Sequence, residues 1–269
     1  CPENVSLEEF VGFAARAGAA AVGLTVRAVK ERELPPIRRL LADHGLKVSS
    51  LNSAGYFLYG DERKRAEQDE LNLRLIAAAG ELQAETLVVI TGGVAHGAAP
   101  LEQARSAVEA GVSRLAQRAA RAGVQLGLEP IHPLGVLQKG CVNTLAQAVA
   151  LARRNAGLGL TVDFFHSWWD PDFAGVFSGS LDLVRLVQIC NVVTLGDAER
   201  FHREDLESGL MDVPGLETRP IERADLDIPD TQPPVTLVPS RTQLPLLPGQ
   251  ATTAYGSMTP DDQIAPHCS

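Results

Sequence analysis

Three oxygen-bearing side chains stand at matching places in three short, β-branched runs. Glu129 closes Val124-Gln125-Leu126-Gly127-Leu128-Glu129, Asp163 lies near the end of Leu158–Phe164, and Gln188 lies within Leu186–Val193. If each run is a strand, its side chains alternate between two faces. Leu126, Leu128, Leu160, Val162, Val187 and Ile189 then share one face, and Gln125, Gly127, Glu129, Thr161, Asp163 and Gln188 share the other. An all-oxygen donor set suits a hard divalent ion, Mg²⁺ or Mn²⁺, better than a structural zinc. A lone strand-end carboxylate is as often solvated or a helix cap, but two at one depth on neighbouring strands favour a shared cation. His132 follows Glu129 by three residues, and His166 follows Asp163 by three. Either imidazole can donate to a substrate hydroxyl or carbonyl oxygen, or can bond the backbone of its own loop. Trp168 and Trp169 come next, ahead of Asp170-Pro171, which reads as an N-cap and first helical turn. A tryptophan there either offers a flat apolar face to a sugar ring or packs beneath its loop, and Tyr56 and Phe57 pose the same choice.

The elements that position these residues recur with one rhythm. Amphipathic helices end at Ala17-Gly18, His44-Gly45, Ala79-Gly80, Ala122-Gly123 and Ala156-Gly157, where Gly suits the left-handed closing residue. Apolar, β-branched runs follow at Val22–Val26, Lys47–Asn52, Thr86–Thr91, Val124–Glu129 and Leu158–Phe164, with a sixth at Leu186–Val193. The clearest helix spans 101–122, with Leu101, Ala104, Val108, Val112, Leu115 and Ala119 on one face. Alternating helices and strands predict parallel strands, either in a doubly wound sheet or in a barrel. The first turn, Thr25-Val26-Arg27-Ala28, lacks the GxGxxG of a nucleotide-binding sheet. A barrel, by contrast, explains why Asn52, Thr91, Glu129, Asp163 and Gln188 all close strands, since those ends converge on one mouth. Gly92-Gly93 permits a close backbone approach beside that mouth.

Bulk properties narrow the function. A net charge of −9 argues against a non-specific nucleic-acid surface. No apolar run approaches the ~18 residues of a membrane span. Cys1, Cys141, Cys190 and Cys268 have no metal-finger spacing and read as reduced thiols of a cytoplasmic protein. Ten of the 17 prolines fall in the last 56 residues. That composition buries too little apolar surface to offset chain entropy, so residues 217–269 are expected to form an irregular Pro-rich tail behind a barrel of 1–216.

Leu128-Glu129-Pro130-Ile131-His132-Pro133, Val162-Asp163-Phe164-Phe165-His166 with Trp168-Trp169-Asp170-Pro171, and Gln188-Ile189-Cys190-Asn191 together resemble the xylose isomerase-like barrel superfamily. Gly45-Leu46-Lys47-Val48-Ser49-Ser50-Leu51 matches a strand entry of the same group, and the resemblance runs over roughly residues 4–216. It implies a (β/α)8 TIM barrel and a divalent metal held by a Glu, an Asp, a His or Gln, and a final Glu. Glu129, Asp163 and Gln188 match the first three, with Gln188 standing where His is frequent. By the same resemblance His166 binds substrate oxygen, Arg203 assists it, and Asn191 replaces a usual Asp. The family's first strand would precede Cys1, and no apolar run after 217 carries the final Glu. The expectation is therefore an incomplete barrel holding strands 2 to 7, with a truncated start and a tail foreign to the family.

The function this implies is a metal-dependent isomerase or epimerase acting on a sugar, sugar phosphate or related hydroxy-carbonyl compound. Glu129 would move the proton, His166 would steady the oxygen, and His132, Trp168 and Arg203 would hold the substrate. A lyase like inosose dehydratase and a degenerate barrel without turnover are the alternatives. An endonuclease IV-like phosphodiesterase needs a His-rich zinc site, which six histidines in an acidic chain do not suggest. Partners would be a small sugar-like substrate and, through open strand edges, a second copy of the chain, with no nucleic acid and no membrane.

Overall fold

Ser6 starts the first helix, α1 (Leu7–Arg16), with a reciprocal capping box. Its hydroxyl accepts from the Glu9 N–H, and its own N–H donates to the Glu9 carboxylate. The chain then alternates as β1 (Ala21–Thr25), α2 (Val26–Lys30), α3 (Leu34–Asp43), β2 (Lys47–Gly55), α4 (Glu62–Glu81), β3 (Thr86–Ile90), α5 (Leu101–Arg121) and β4 (Leu126–Leu128). It continues with α6 (Leu145–Arg154), β5 (Leu158–Asp163), α7 (Phe164–Ser167), α8 (Phe173–Ser178) and β6 (Val184–Gln188). This computed structural model describes residues 5–30, 32–94 and 100–189. It also gives the backbone of β7 (Asn191–Thr194), β8 (Phe201–Glu204), β9 (Thr242–Gln243) and β10 (Thr253–Ala254).

Strands β1 to β6 pair in chain order, each parallel to the next. The order never reverses, so the sheet curls as part of a (β/α)8 barrel and is not doubly wound. Among the described residues no strand pairs with the outer edge of β6. At the other edge, Thr253 and Ala254 pair in parallel with Ala21 and Val22, and β9 pairs antiparallel with β10. Both short strands come from the 217–269 segment, the rest of which lies outside the described residues.

Burial follows the alternation expected of a barrel. Leu126, Leu128, Leu160, Val162, Val187 and Ile189 join the main apolar cluster with Val108, Val112 and Leu115 of α5. Val88, Ile90, Ile131 and Leu186 form a second, interior cluster with Tyr56 against it. Tyr56 and Phe57 thus part company. Phe57 packs on the outside, close enough to α5 that a Cβ on Gly111 would lie 2.5 Å from its ring. Among the described residues no helix is long and apolar enough to cross a membrane.

Four local expectations need correction. Four of the five helix-closing glycines have positive φ, but Gly80 lies inside α4. The left-handed position falls to Gln83, at φ 53°, because α4 runs on until Leu82 reaches the core. Leu101, read as part of the buried face of α5, is 39% exposed in its first turn. Gln125 precedes β4 and is exposed, so it is not part of the buried strand. The sixth run does not continue as one strand to Val193. It stops at Gln188, and Asn191–Thr194 pairs instead with Phe201–Glu204. β-branched composition selects an extended backbone but not its partner.

Candidate functional site at the barrel mouth

Asp163 ends β5 and caps the next helix. Its Oδ1 accepts the Phe165 N–H at 2.8 Å, which fixes the start of α7, the single turn carrying His166. Glu129 follows β4 directly, its N–H held by the Val89 carbonyl at 3.0 Å. Asp163 is fully buried, and Glu129 and His166 are 5% and 3% exposed. One ligand atom from each of these three lies within 4.8 Å of the other two. The His166 Nε2 is 3.7 Å from Glu129 Oε1.

The imidazole is oriented by the backbone. The His132 N–H donates to His166 Nδ1 at 3.3 Å, which turns Nε2 toward Glu129. Gln188 lies next to Asp163 on β6, in direct register with it. Its side chain is buried, and its Nε2 has no hydrogen-bond partner. Turning the amide puts Oε1, a ligand for hard cations, in that place. The two carboxylates and this orphaned amide fit a divalent ion. Glu129, Asp163 and Gln188 would be its oxygen ligands, with His166 beside them.

The aromatic residues frame the two histidines. Trp168 stacks on His132 with ring centroids 6.0 Å apart, and Trp169 meets the same ring edge-on at 5.7 Å. The Trp169 indole N–H donates to the His166 carbonyl at 2.9 Å. His132 Nδ1 accepts from the Leu134 N–H, and burial pushes its pKa down. The folded state therefore binds the proton more weakly than the unfolded chain, whose histidines titrate near ~6.5. The stability this contributes is complete above that value and is lost as pH falls through the lower, folded pKa. An NMR titration should find His132 titrating below a free histidine. A value at or above ~6.5 would contradict its burial.

Asp170 does not cap the helix that follows it. That helix begins two residues later than the Asp-Pro pair suggests, at Phe173, with Asp172 in the capping position. Asp170 is buried. It accepts the Leu145 N–H at the start of α6 through Oδ2 and the Asp172 N–H through Oδ1, at 3.3 and 3.1 Å. Asp170→Ala should destabilise the fold by about 1–3 kcal/mol, since it strips two N–H groups of their acceptor. A loss under about 0.5 kcal/mol in urea denaturation would show that the contacts are dispensable.

Arg203 falls in β8, opposite Val192, and its side chain lies outside the described residues. Apart from β9 and β10, the tail, in which the sequence offers no apolar run for the final Glu, lies outside them too. Sequence reasoning missed Lys139. It comes from the loop between β4 and α6, where no periodicity signals direction, and its Nζ is 3.3 Å from His166 Nε2. Tyr56 is a further neighbour. Burial raises its phenol pKa, and the Glu129 charge adds to the shift.

A curled parallel β/α sheet with buried carboxylates and an imidazole at its carboxyl-end mouth defines a TIM barrel with a candidate metal centre. The chain belongs to the xylose isomerase-like TIM barrel family, whose sequence model matches residues 11–218. Protein SMc04130 from Sinorhizobium meliloti 1021 is 28% identical, with a TM-score of 0.70 over 78% of each chain. A 3-keto-D-glucoside 4-epimerase from E. coli is 23% identical, with a TM-score of 0.59 over 71% of this chain and 75% of its own. The IolI protein, solved with a bound zinc atom, is 18% identical, with a TM-score of 0.61 over 72% and 70%. The last two share the fold. No curated protein sequence matches the chain.

Proposed function

We propose that this chain is a metal-dependent isomerase or epimerase of a sugar, sugar phosphate or related hydroxy-carbonyl compound. The observation that carries this reading is the buried approach of Glu129, Asp163 and His166, with ligand atoms within 4.8 Å of one another. Two carboxylates in such a place repel unless a cation or proton lies between them. A divalent ion, Mn²⁺ or Mg²⁺, held by Glu129, Asp163 and Gln188 would supply Lewis-acid polarisation of a substrate carbonyl. Glu129 takes the proton from the carbon next to the carbonyl and returns it to the adjacent carbon, which isomerises the compound; epimerisation needs a second group that delivers the proton from the opposite face. The Nε2–H of His166 donates to the oxygen on which charge develops. His132 and Trp168 hold the substrate ring from one side, and Arg203 of β8 assists. The likeness to the 3-keto-D-glucoside 4-epimerase supports sugar epimerisation as the first chemistry to test.

The test is turnover of a panel of ketoses, keto-sugars and inososes by the full chain, with Mn²⁺ and with chelator. Mn²⁺-dependent interconversion of isomers or epimers is the expected result. Loss of water from a substrate would instead make the protein a lyase. No turnover, together with no Mn²⁺ binding at millimolar concentration, would make it a barrel without catalysis.

A further inference from the structure

Two helices on the outside of the barrel present walls of opposite charge that do not pair with each other. On α4, Glu62, Ala66, Asp69, Glu70, Leu73 and Ala77 recur at helical spacing along one stripe, and every charge on it is negative. On α5 the facing stripe is Ala107, Gly111, Arg114, Leu115 and Arg118, and every charge on it is positive. Charges of the other sign lie off these stripes. Arg63 of α4 pairs with Glu67 of its own helix, and Glu109 of α5 pairs with Arg154 of α6. Between the walls is an open crevice of about 350 Å³, lined by Asp69, Glu70, Arg114 and Arg118 over Phe57 and Leu115. The Phe57 ring is wedged against Gly111, where a Cβ would come within 2.5 Å of it. The four charged side chains are exposed, and among the described residues none of them has an ion-pair partner. Leu73, on the acidic wall, is 41% exposed.

Charge selects the occupant. A wholly acidic or wholly basic partner would match one wall and be repelled by the other. Two copies of a chain of net charge −9 repel one another in general, so a face that joins them must be locally balanced and self-complementary. This face is both. Each helix leaves the carboxyl end of one strand and leads to the start of the next, so α4 and α5 run parallel. A two-fold axis through the crevice, normal to the barrel wall, therefore lays the acidic stripe of each copy over the basic stripe of the other.

We propose that the α4–α5 face is the contact through which two copies of this chain associate. Asp69 and Glu70 of each copy meet Arg114 and Arg118 of the other, and each Leu73 enters the opposite crevice over Phe57. Charged pairs form the rim, and the two leucines leave water at the centre.

The experiment is analytical ultracentrifugation of the full chain and of two charge-reversed variants, Asp69→Arg with Glu70→Arg, and Arg114→Glu with Arg118→Glu. The parent should be dimeric at high micromolar concentration and should dissociate in roughly 1 M salt, where the screening length falls to about 3 Å. Each variant alone presents two walls of one sign, and its dimer dissociation constant should rise about tenfold or more. An equimolar mixture of the two variants should recover a dimer with one copy of each, because opposite walls meet again. If a reversal fails to fold, Leu73→Glu, which puts a charge at the centre of the contact, decides by the same measurement. A parent that stays monomeric to millimolar concentration overturns the assignment. So does a dimer equally tight in both variants, whose contact would lie elsewhere, such as the open strand edges. Weakened variants that do not recover a dimer when mixed overturn it too.

Discussion

Glu129→Gln and Asp163→Asn are each expected to abolish most of the Mn²⁺-induced stabilisation of this protein. A ligand that binds only the folded state stabilises it by mass action, about 2.7 kcal/mol at 100 times the dissociation constant. In a domain of about 200 residues that raises Tm by roughly 5–10 °C. Both substitutions keep the size of the side chain and remove one of the two buried carboxylates proposed as ligands. The amide oxygen introduced by Asp163→Asn would still accept the Phe165 N–H, so α7 should keep its cap. Without metal, Glu129→Gln removes the repulsion from Asp163 and the attraction to His166 together, so stability in chelator should change little. Thermal unfolding with Mn²⁺ and with chelator separates these effects. A Glu129→Gln variant as strongly stabilised by Mn²⁺ as the parent would remove Glu129 from the ligand set. A variant much less stable than the parent in chelator would mean that Glu129 supports the fold.

Leu128→Ala should cost about 2–5 kcal/mol. Leu128 is fully buried on the outward face of β4, in the cluster shared with α5. Truncation there loses transfer free energy and leaves a cavity that strands on both sides resist collapsing, since β3 and β5 each pair with β4. Against a typical domain stability of about 5–15 kcal/mol the loss is large. Urea denaturation should show a lower midpoint at an unchanged slope. Because Leu128 immediately precedes Glu129, the same variant should also weaken Mn²⁺ binding. A stability change under about 1 kcal/mol would show that this face of β4 is not packed as described.

The candidate metal-site residues were legible in the sequence for a local reason. Side chains in a strand alternate with period two, and strands in a parallel barrel end at one mouth. Glu129, Asp163 and Gln188 could therefore be placed on one face from the apolar residues between them. The helix ends were legible for a similar reason: Gly at 18, 45, 123 and 157 takes the positive φ that closes each helix. Where a choice depended on contacts distant in sequence, the local signal was not enough. Gly80 carries the same sequence signal, yet α4 continues past it because Leu82 reaches the core.

Several features were decided by tertiary structure alone. Asp170 reads as a cap for its own helix, but it holds the first N–H of α6, 25 residues earlier in the chain. Tyr56 and Phe57 are adjacent in sequence, yet one faces the interior cluster and the other packs on α5. Trp168 and Trp169 both meet His132, a contact that exists only because two strand-end loops lie side by side. Lys139 gives no sequence signal at all, for it stands in a loop of Leu, Gln and Gly without period. Its place beside His166 follows from the docking of that loop on Gly92 and Gly93, where two backbones approach as only glycine allows. Period and end signals act over a few residues, so the sequence determined most of the elements and strand faces and nominated the candidate oxygen ligands. Which loops meet over the mouth depends on packing between segments tens of residues apart, and only the folded chain decides it.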